Sequence, residues 1–319
     1  MAAGEHLSET RAPERGEICV FAPWPLFTIT IEKRVEGGDD VYFHAGGQAV
    51  WVARMIANLG QRATLVGPFG GEARHVIETL VKMEGLGLRS VPIKLPNGGY
   101  INDRRGGKRE EIATVKPPHL DRHETDDLYN AVLSESLRCG TVVLTGLPED
   151  PVIPLGVFGR LTSDLSGNGV AIIADIAGEV LKAVERGLSV LKISHEELIA
   201  AGVAEGDDRD ELVAGMERLR EKSEDIVVSC AGEGSLALIG GTLFHAKAPS
   251  LNALDHTGAG DSMTAALAVA KAGKLNPQET LRLATAAGAL NVTRHGRGTG
   301  NFHDIQEIAR HVTIEEIRR

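Results

Sequence analysis

Short apolar runs alternate with longer amphipathic stretches along most of the chain. The apolar runs are rich in Val, Ile and Leu, which is typical of buried β-strands, and they lie at residues 17–22, 63–66, 141–145, 170–175, 190–193 and 225–230. Stretches of helical length lie between or after them, at 48–59, 72–84, 125–137, 179–187, 209–222, 261–272, 277–291 and 304–311. Near-continuous apolar strands that alternate with helices predict a doubly wound α/β fold, with a mostly parallel sheet covered on both faces.

Two segments depart from this rhythm. Residues 27–43 alternate apolar and polar side chains, and residues 90–115 contain two Gly-Gly pairs suited to hairpin turns. These features predict a small, half-exposed antiparallel sheet that projects from the α/β body and acts as a lid. The predicted domain organisation is therefore a loose N-terminal leader at 1–16, followed by one α/β domain at 17–319 that carries both lid segments.

Composition narrows the functional classes. The chain has 319 residues, with 34 basic and 44 acidic side chains and a net charge of −10. This balance argues against broad nucleic-acid binding, which depends on clustered Lys and Arg. Every apolar run is too short to span a membrane. Cys19, Cys139 and Cys230 each lie in or beside a strand-like run, so we expect them to be packing residues. Their odd number and wide spacing predict a reducing, cytoplasmic environment.

The most informative motif is a glycine turn that leads directly into an apolar helix. It spans residues 254–266 and reads LDHTGAGDSMTAA. Small residues at a helix start leave the backbone N–H groups free to close on an anion, and the helix dipole favours negative charge there. Asp261 lies in the first helical turn. It is either a helix cap or a general base that takes a proton from a hydroxyl attacking a phosphate.

Four ordered blocks resemble one family. DHTGAGD at 255–261 resembles the D-[TS]-x-G-A-G-D signature of the PfkB (ribokinase-like) carbohydrate kinases, and GGQAVWVA at 46–53 resembles their N-terminal signature. The stretches at 175–181 and 191–198 are similar to the D-x-S-G-E-x-L and K-P-N-x-x-E-L elements of the phosphofructokinase and tagatose-6-phosphate kinase branch. The tail at 286–300 is similar to the nucleotide-binding end of that branch.

The resemblance implies an ATP-dependent kinase that uses Mg²⁺, with a monovalent cation as an open possibility. Asp261 would be the general base, and the backbone amides of Gly258, Ala259 and Gly260 would hold the transferring phosphoryl group. Glu197 falls on the acidic position that influences Mg²⁺ and phosphate. The residues expected to bind ATP are Ser229, Gly232, Gly234, Thr257 and Asn291. The lid would also form the interface of a homodimer.

The departures from the family pattern lie on the substrate side. The residues expected to contact substrate are Thr28, Gly46, Gly47, Trp51 and Arg104. Trp51 replaces the Asn of the N-terminal signature, and Thr28 replaces a substrate-binding Asp. An indole has one donor and no acceptor, so it cannot substitute for a carboxamide. It could stack on a sugar ring or a nucleoside base, or it could belong to the core. The lid also lacks an expected Arg, for which Arg104 and Arg105 are the nearest replacements.

Three functions remain open at this stage. The first is a sugar-phosphate kinase close to phosphofructokinase, and the second is a kinase for another acceptor, such as a non-phosphorylated sugar or a nucleoside. The third is a non-catalytic relative that binds nucleotide or sugar. An arginine directed into the acceptor pocket would favour the first function, whereas a pocket filled by Trp51 would favour the third.

Overall fold

Strands and helices alternate along the computed structural model of the protein, which describes residues 16–294 and 296–317. The strands are β1 (Glu17–Phe21), β2 (Leu26–Lys33), β3 (Asp39–Gly46), β4 (Arg62–Gly70), β5 (Gly87–Ile93), β6 (Gly99–Asp103), β7 (Glu110–Val115), β8 (Thr141–Thr145), β9 (Ala171–Asp175), β10 (Leu188–Ser194), β11 (Ser223–Ser229), β12 (Ser235–Ile239), β13 (Thr242–Lys247) and β14 (Thr313–Ile317). The helices are α1 (Gln48–Asn58), α2 (Gly71–Met83), α3 (Arg122–Cys139), α4 (Gly156–Gly167), α5 (Gly178–Ala183), α6 (His195–Ala200), α7 (Arg209–Leu219), α8 (Ala259–Ala272), α9 (Pro277–Val292) and α10 (Phe302–Arg310). Apart from Gly16, the predicted leader lies outside the described residues.

The large sheet has ten strands in the order β14-β13-β12-β11-β10-β9-β8-β1-β4-β5. Its seven strands from β11 to β5 are parallel, and β12, β13 and β14 extend it in antiparallel fashion. Helices cover both faces, with α1, α2, α8, α9 and α10 contributing to one apolar core and α3 to α7 contributing to the other. The predicted doubly wound, mostly parallel α/β fold is confirmed.

Local sequence explains where the helices begin. Asp121 and Asn276 cap α3 and α9, each in a capping box with a glutamate three residues later. Helix α1 begins after Gly47, whose φ of +99° lets the chain turn sharply out of β3. The order of the parallel strands changes direction beside β1, with β4 and β5 on one side and β8 to β11 on the other. Open α/β sheets bind ligands at this kind of switch point.

The small sheet has four strands in the order β3-β2-β6-β7. It contains most of both segments that the pattern singled out, but the prediction was wrong for the start of the second one. Residues 90–93 belong to β5, at the edge of the large sheet. An edge strand is half exposed, so its side chains alternate like those of the small sheet. In addition, β2 and β6 pair in parallel, whereas the prediction made the small sheet antiparallel throughout.

Other differences have local causes. Helix α5 ends at Ala183, before the predicted end at 187, because the chain has to reach the start of β10 at Leu188. Helix α4 and strands β12 to β14 were not predicted. The sequence of α4, GVFGRLTSDLSG, is weakened as a helix former by Gly and Ser.

The cysteines and the helices bear on two further expectations. Cys19, Cys139 and Cys230 are free; Cys19 is buried and the other two are half-buried. Burial raises the pKa of the Cys139 thiol to about 11, so this side chain is a weak nucleophile. None of the helices in the described ranges combines the length and the apolar character that crossing a membrane requires.

Candidate active site

The glycine turn, residues 258–260, ends at the N-terminus of α8. Gly258 has a φ of +87° and caps the helix, which a residue with a side chain would do only under strain. Every residue of α8 from Asp261 to Ala270 is buried. The first N–H groups of an α-helix have no partner in a preceding turn, and the helix dipole makes their surroundings positive. The turn is therefore a rigidly anchored cradle for an anion.

Asp261 lies in the first turn of α8 with 9% of its surface exposed. Burial raises the pKa of its carboxyl to about 7, and the neighbouring carboxylate of Asp175 adds to the increase. Lys192, the side-chain amide of Gln48 and Arg297 act in the opposite direction and limit it. A carboxyl with this pKa can take up or release a proton near neutral pH, which a general base has to do.

A buried ion pair lies directly beneath the glycine turn. Lys192 and Asp175, at the ends of β10 and β9, are each 6% exposed, and the Lys192 Nζ lies 3.3 Å from Asp175 Oδ1. Thr264 of α8 donates to Asp175 Oδ2 over 2.8 Å. A Cβ on Gly260 would lie 2.6 Å from the Lys192 Nζ, so glycine at this position lets the ammonium approach the backbone of the turn closely.

The charge of Lys192 is held by carboxylates on three elements. Burial alone would favour the neutral amine, but Asp175, Glu197 and Asp261 together raise the pKa of Lys192 above its ordinary value. The lysine is therefore a fixed positive charge at the base of the glycine turn. Its ammonium counteracts the repulsion between the two buried carboxylates.

On one side of the glycine turn lies a first cavity of about 650 Å³. Ser229, Gly232 and Gly234 line it, as do Ala259 and Gly260 of the turn. Much of the remaining wall is apolar and is supplied by α8, α9 and the segment after β13. A cavity with an apolar end and an anion-binding end suits a nucleotide with its base and phosphates.

Three residues expected around this cavity have other contacts. Asn291 is 1% exposed and does not line the cavity; its Nδ2 donates to Thr257 O over 2.9 Å and its Oδ1 accepts from Gly298 N–H over 3.0 Å. Asn291 therefore joins the loop before the glycine turn to the loop after α9. Thr257 takes part in this link through its backbone carbonyl, which accepts the hydrogen bond from Asn291. Glu197 forms a capping box with Ser194 at the start of α6, while its neighbour Glu196 lines the cavity.

On the other side lies a second cavity of about 470 Å³, between the small sheet and the α/β body. Thr28, Trp51 and Arg104 line it. Gly46 and Gly47 lie behind it instead. A Cβ on Gly46 would come within 2.6 Å of Thr28 Cγ2, and one on Gly47 would come within 3.3 Å of a backbone oxygen. Their role in the structure is close packing of the turn from β3 into α1.

Trp51 is half-buried at the wall of the second cavity and does not fill it. The guanidinium of Arg297 lies over its ring, 4.2 Å from the centroid. Arg104 also faces this cavity but forms an ion pair with Asp255, at 3.1 Å. Arg105, the other arginine considered from the sequence, is exposed and pairs with Asp103 and Asp39.

Several residues at the site were not identified from the sequence. Gln48 accepts from Gly146 N–H over 3.0 Å and hydrogen-bonds to Asp261. Arg109 and Arg297 approach the second cavity from two distant loops. Gln48 follows Gly46-Gly47 directly, so its position in that block was an available signal. Arg297 lies in the tail block at 286–300, which indicated nucleotide binding and not the acceptor cavity, and Arg109 was marked only by its place in the lid segment at 90–115.

The glycine turn lines the first cavity, and Arg297 of the second cavity packs against Gly258, so both cavities lie close to the buried carboxyl of Asp261. The model of the pfkB family carbohydrate kinases matches residues 26–303. The chain therefore belongs to the pfkB family of carbohydrate kinases, which confirms the resemblance in its sequence motifs.

Two named phosphofructokinases and one solved structure match the chain over most of their length. The chain is 26% identical to the ATP-dependent 6-phosphofructokinase isozyme 2 of Escherichia coli over 271 residues, covering 83% of this chain and 87% of that one. It is 24% identical to the 1-phosphofructokinase of Vibrio cholerae over 277 residues, covering 86% and 87%. The crystal structure of E. coli phosphofructokinase-2 in complex with potassium has a TM-score of 0.80 at 24% identity, covering 93% and 98%. The structural match shows a shared fold.

Proposed function

We propose that this chain is an ATP-dependent kinase that phosphorylates a hydroxyl of a sugar phosphate. The observation that carries this is the position of Asp261, buried at the start of α8 beside a glycine turn that lines the first cavity and packs against Arg297 of the second. The names of the relatives, 1-phosphofructokinase and 6-phosphofructokinase, support a phosphorylated sugar as the acceptor.

In the proposed reaction, ATP lies in the first cavity and the acceptor in the second. The acceptor oxygen forms a bond to the γ-phosphorus while the bond to the β,γ-bridging oxygen breaks, and ADP leaves with that electron pair. Asp261 receives the hydroxyl proton. The backbone amides of Gly258, Ala259 and Gly260, together with the charge of Lys192, stabilise the negative charge of the transferring group.

The nucleotide is held by residues of the first cavity. Ser229, Gly232 and Gly234 have small side chains or none, so the nucleotide can come close to the protein backbone at these positions. Thr257 and Asn291 support ATP binding indirectly, since their hydrogen bond fixes the loop that leads into the glycine turn.

Magnesium fits the donor chemistry of the site. Mg²⁺ prefers oxygen ligands and is usually held by one or two carboxylates together with water and substrate phosphates. Asp175 is already engaged by Lys192 and Thr264, so Glu197, the acidic residue that the resemblance assigns to this role, would hold the ion together with the ATP phosphates. When bound, it would neutralise part of the phosphate charge. A monovalent cation beside the glycine turn stays a prediction, supported by the potassium complex of E. coli phosphofructokinase-2.

A different group of side chains has a geometry that could share one metal ion. Within the part of the chain described by the structure, only Glu17, Glu135 and Cys139 bring ligand atoms within 4.8 Å of one another. Arg138 already forms ion pairs with both carboxylates. Because Arg138 neutralises the two carboxylates, we assign these three side chains and Arg138 a role in stabilising the fold.

The small sheet has two different faces, which suits a lid that also dimerises. Thr28, Tyr100 and Asn102 lie on the face towards the second cavity. The cross-strand pairs Ile29–Phe43 and Ile31–Val41 lie on the alternate face, where Phe43 and Val41 are 52% and 50% exposed. An exposed apolar face favours burial against a second copy, as the homodimer prediction requires.

Among other acceptors, a nucleoside or neutral sugar stacked on Trp51 is disfavoured because Arg297 already occupies one face of the ring.

The test of the proposed function is a panel of fructose 6-phosphate, fructose 1-phosphate, tagatose 6-phosphate, fructose, ribose and adenosine, each with ATP and Mg²⁺. Product formation is followed by ³¹P NMR. We expect a new phosphate ester from at least one sugar phosphate. Phosphorylation of adenosine or of neutral sugars alone would contradict the proposal.

A further inference from the structure

The second cavity holds two arginines that are not neutralised by a carboxylate. Two other arginines at its wall are paired: Arg104 with Asp255 at 3.1 Å, and Arg54 with Glu84 at 2.6 Å. Arg109 and Arg297 form no ion pair within the described ranges, and each lies over an aromatic ring instead. Arg297 is 4.2 Å from the centroid of Trp51, and Arg109 is 5.3 Å from that of Tyr100.

Both guanidinium groups are held in place by hydrogen bonds that leave other donors available. Arg297 Nη1 donates to the Tyr100 hydroxyl over 3.3 Å, and Arg109 Nε donates to Asn102 Oδ1 over 3.0 Å. A guanidinium has five N–H donors, so each arginine keeps several for a ligand. The backbone of Arg297 is also held in place, because its carbonyl oxygen accepts a hydrogen bond from Arg54 Nη1 over 2.6 Å.

The charge of the cavity wall favours an anion. After the two ion pairs are set aside, two arginines face one remaining carboxylate, that of Glu32, which lies farther along β2 than Thr28. Guanidinium groups bind phosphate and carboxylate with two parallel hydrogen bonds, and a flat aromatic surface beneath them fixes their plane. The arrangement is thus a preorganised site for an anionic group.

We propose that Arg109 and Arg297, supported by Tyr100 and Trp51, form the subsite that binds the anionic group of the acceptor. This rests on the proposed kinase function and deepens it: the acceptor carries a phosphate ester or a carboxylate. Trp51 stands where the N-terminal family signature has an asparagine. In place of an amide that could bind a hydroxyl, it provides a flat ring that positions Arg297. Arg297 also packs against the glycine turn, since a Cβ on Gly258 would lie 3.3 Å from its Cβ. The subsite therefore adjoins the place of phosphoryl transfer.

The kinetic test compares Arg109→Gln, Arg297→Gln and the charge-conserving Arg297→Lys. Arg105→Gln is the matched control, because Arg105 lies in the same hairpin as Arg109 but pairs with Asp103 and Asp39 outside the cavity. We expect the two glutamine variants to raise the KM of the acceptor at least tenfold, while the KM of ATP changes less than twofold. Arg297→Lys should restore part of the loss, and Arg105→Gln should match the wild type. Fructose 6-phosphate, gluconate and fructose distinguish a phosphate, a carboxylate and a neutral acceptor.

A binding measurement separates this inference from the kinase proposal. Inorganic phosphate is titrated calorimetrically into each protein, with the nucleotide site saturated by a non-hydrolysable ATP analogue. We expect phosphate to bind to the wild type and to Arg105→Gln, and to bind at least tenfold more weakly to Arg109→Gln. Because Arg109 is exposed, its replacement should leave the fold intact, so weaker binding would report the loss of the guanidinium. Such a result without any acceptor turnover would support the subsite and contradict the kinase proposal. Unchanged phosphate affinity in the variants, no binding to the wild type, or a preference for fructose would overturn the subsite.

Discussion

Asp261 combines an ordinary helix position with an unusual environment. Its place in the first turn of α8 would suit any capping carboxylate, but burial and the neighbouring Asp175 raise its pKa to about 7. An exposed cap would stay ionised at neutral pH and would have little tendency to take up a proton. The environment, more than the residue type, therefore distinguishes a general base from a cap at this position.

The raised pKa predicts the pH dependence of the reaction. Because Asp261 has to be ionised to accept a proton, kcat/KM for the acceptor should fall about tenfold per pH unit below about pH 7 and level off above it. The measurement is a series of initial rates from pH 5.5 to 9 at saturating ATP. A profile that stays flat between pH 5.5 and 8 would show that no group with this pKa limits the reaction.

The residues of the site differ in how far the sequence could predict them. The glycine turn and Asp261 are contiguous, and their chemistry follows from one local motif. Arg297 becomes part of the second cavity only because folding brings it against Trp51, which is distant in sequence. Trp51 could be flagged as unusual from the sequence, but whether it stacks on a ligand or on another side chain depends on tertiary contacts.

At the scale of elements, the site depends on three parts that meet at one edge of the sheet. Strand β9 supplies Asp175, β10 supplies Lys192, and α8 supplies the glycine turn and Thr264. Parallel strands bring their carboxyl ends to the same edge, so these residues converge although they are separated in sequence. The ion pair therefore links the helix that carries Asp261 to the strands beneath it.

Replacing the buried lysine should affect both stability and protonation. Lys192→Gln leaves Asp175 and Asp261 without their cation, so we expect a loss of about 3–5 kcal/mol in the free energy of unfolding. The pKa of Asp261 should rise further, which moves the acidic limb of the pH profile to higher pH. Urea denaturation and the same initial-rate series measure the two effects.

Lys182→Gln provides the comparison for that variant. Lys182 pairs with Glu179 at the surface, with 64% of its side chain exposed, and such pairs contribute less than about 1 kcal/mol. If Lys192→Gln were no less stable than Lys182→Gln and kept the wild-type pH profile, the assigned role of the buried pair would be wrong.

The sequence predicted the buried strands more accurately than the exposed ones. Strands β8 and β9 are covered on both faces, and their continuous apolar runs matched the structure closely. Strand β5 lies at the edge of the large sheet and alternates, so it resembled part of the small sheet. Strands β11, β12 and β13 follow one another without an intervening α-helix, and β14 is a short, largely exposed edge strand, so the alternation of strands and helices did not predict β12 to β14.

At the scale of the whole molecule, the proposed dimer places the small sheet between two copies. We expect the wild type to sediment as a dimer and the double variant Val41→Asp/Phe43→Asp to sediment as a monomer, because the changes put two charges on the apolar face. Lys108→Glu, which alters charge in the exposed turn between β6 and β7, should leave the dimer intact. Sedimentation velocity distinguishes these outcomes. A monomeric wild type, or a double variant that stays dimeric, would remove this face as the interface.

Both cavities of the molecule lie near the start of α8: the glycine turn lines the first, and Arg297 of the second packs against Gly258. This layout predicts that Asp261 is needed for transfer but not for holding ATP. The most direct test measures acceptor-dependent ADP release and ATP affinity together in the wild type, in Asp261→Asn and in Asp126→Asn, an exposed control on α3. The account predicts that Asp261→Asn lowers kcat by about 10²–10⁴-fold while its ATP affinity and the activity of the control stay close to wild type. An Asp261→Asn protein that transfers phosphate at the wild-type rate would contradict it.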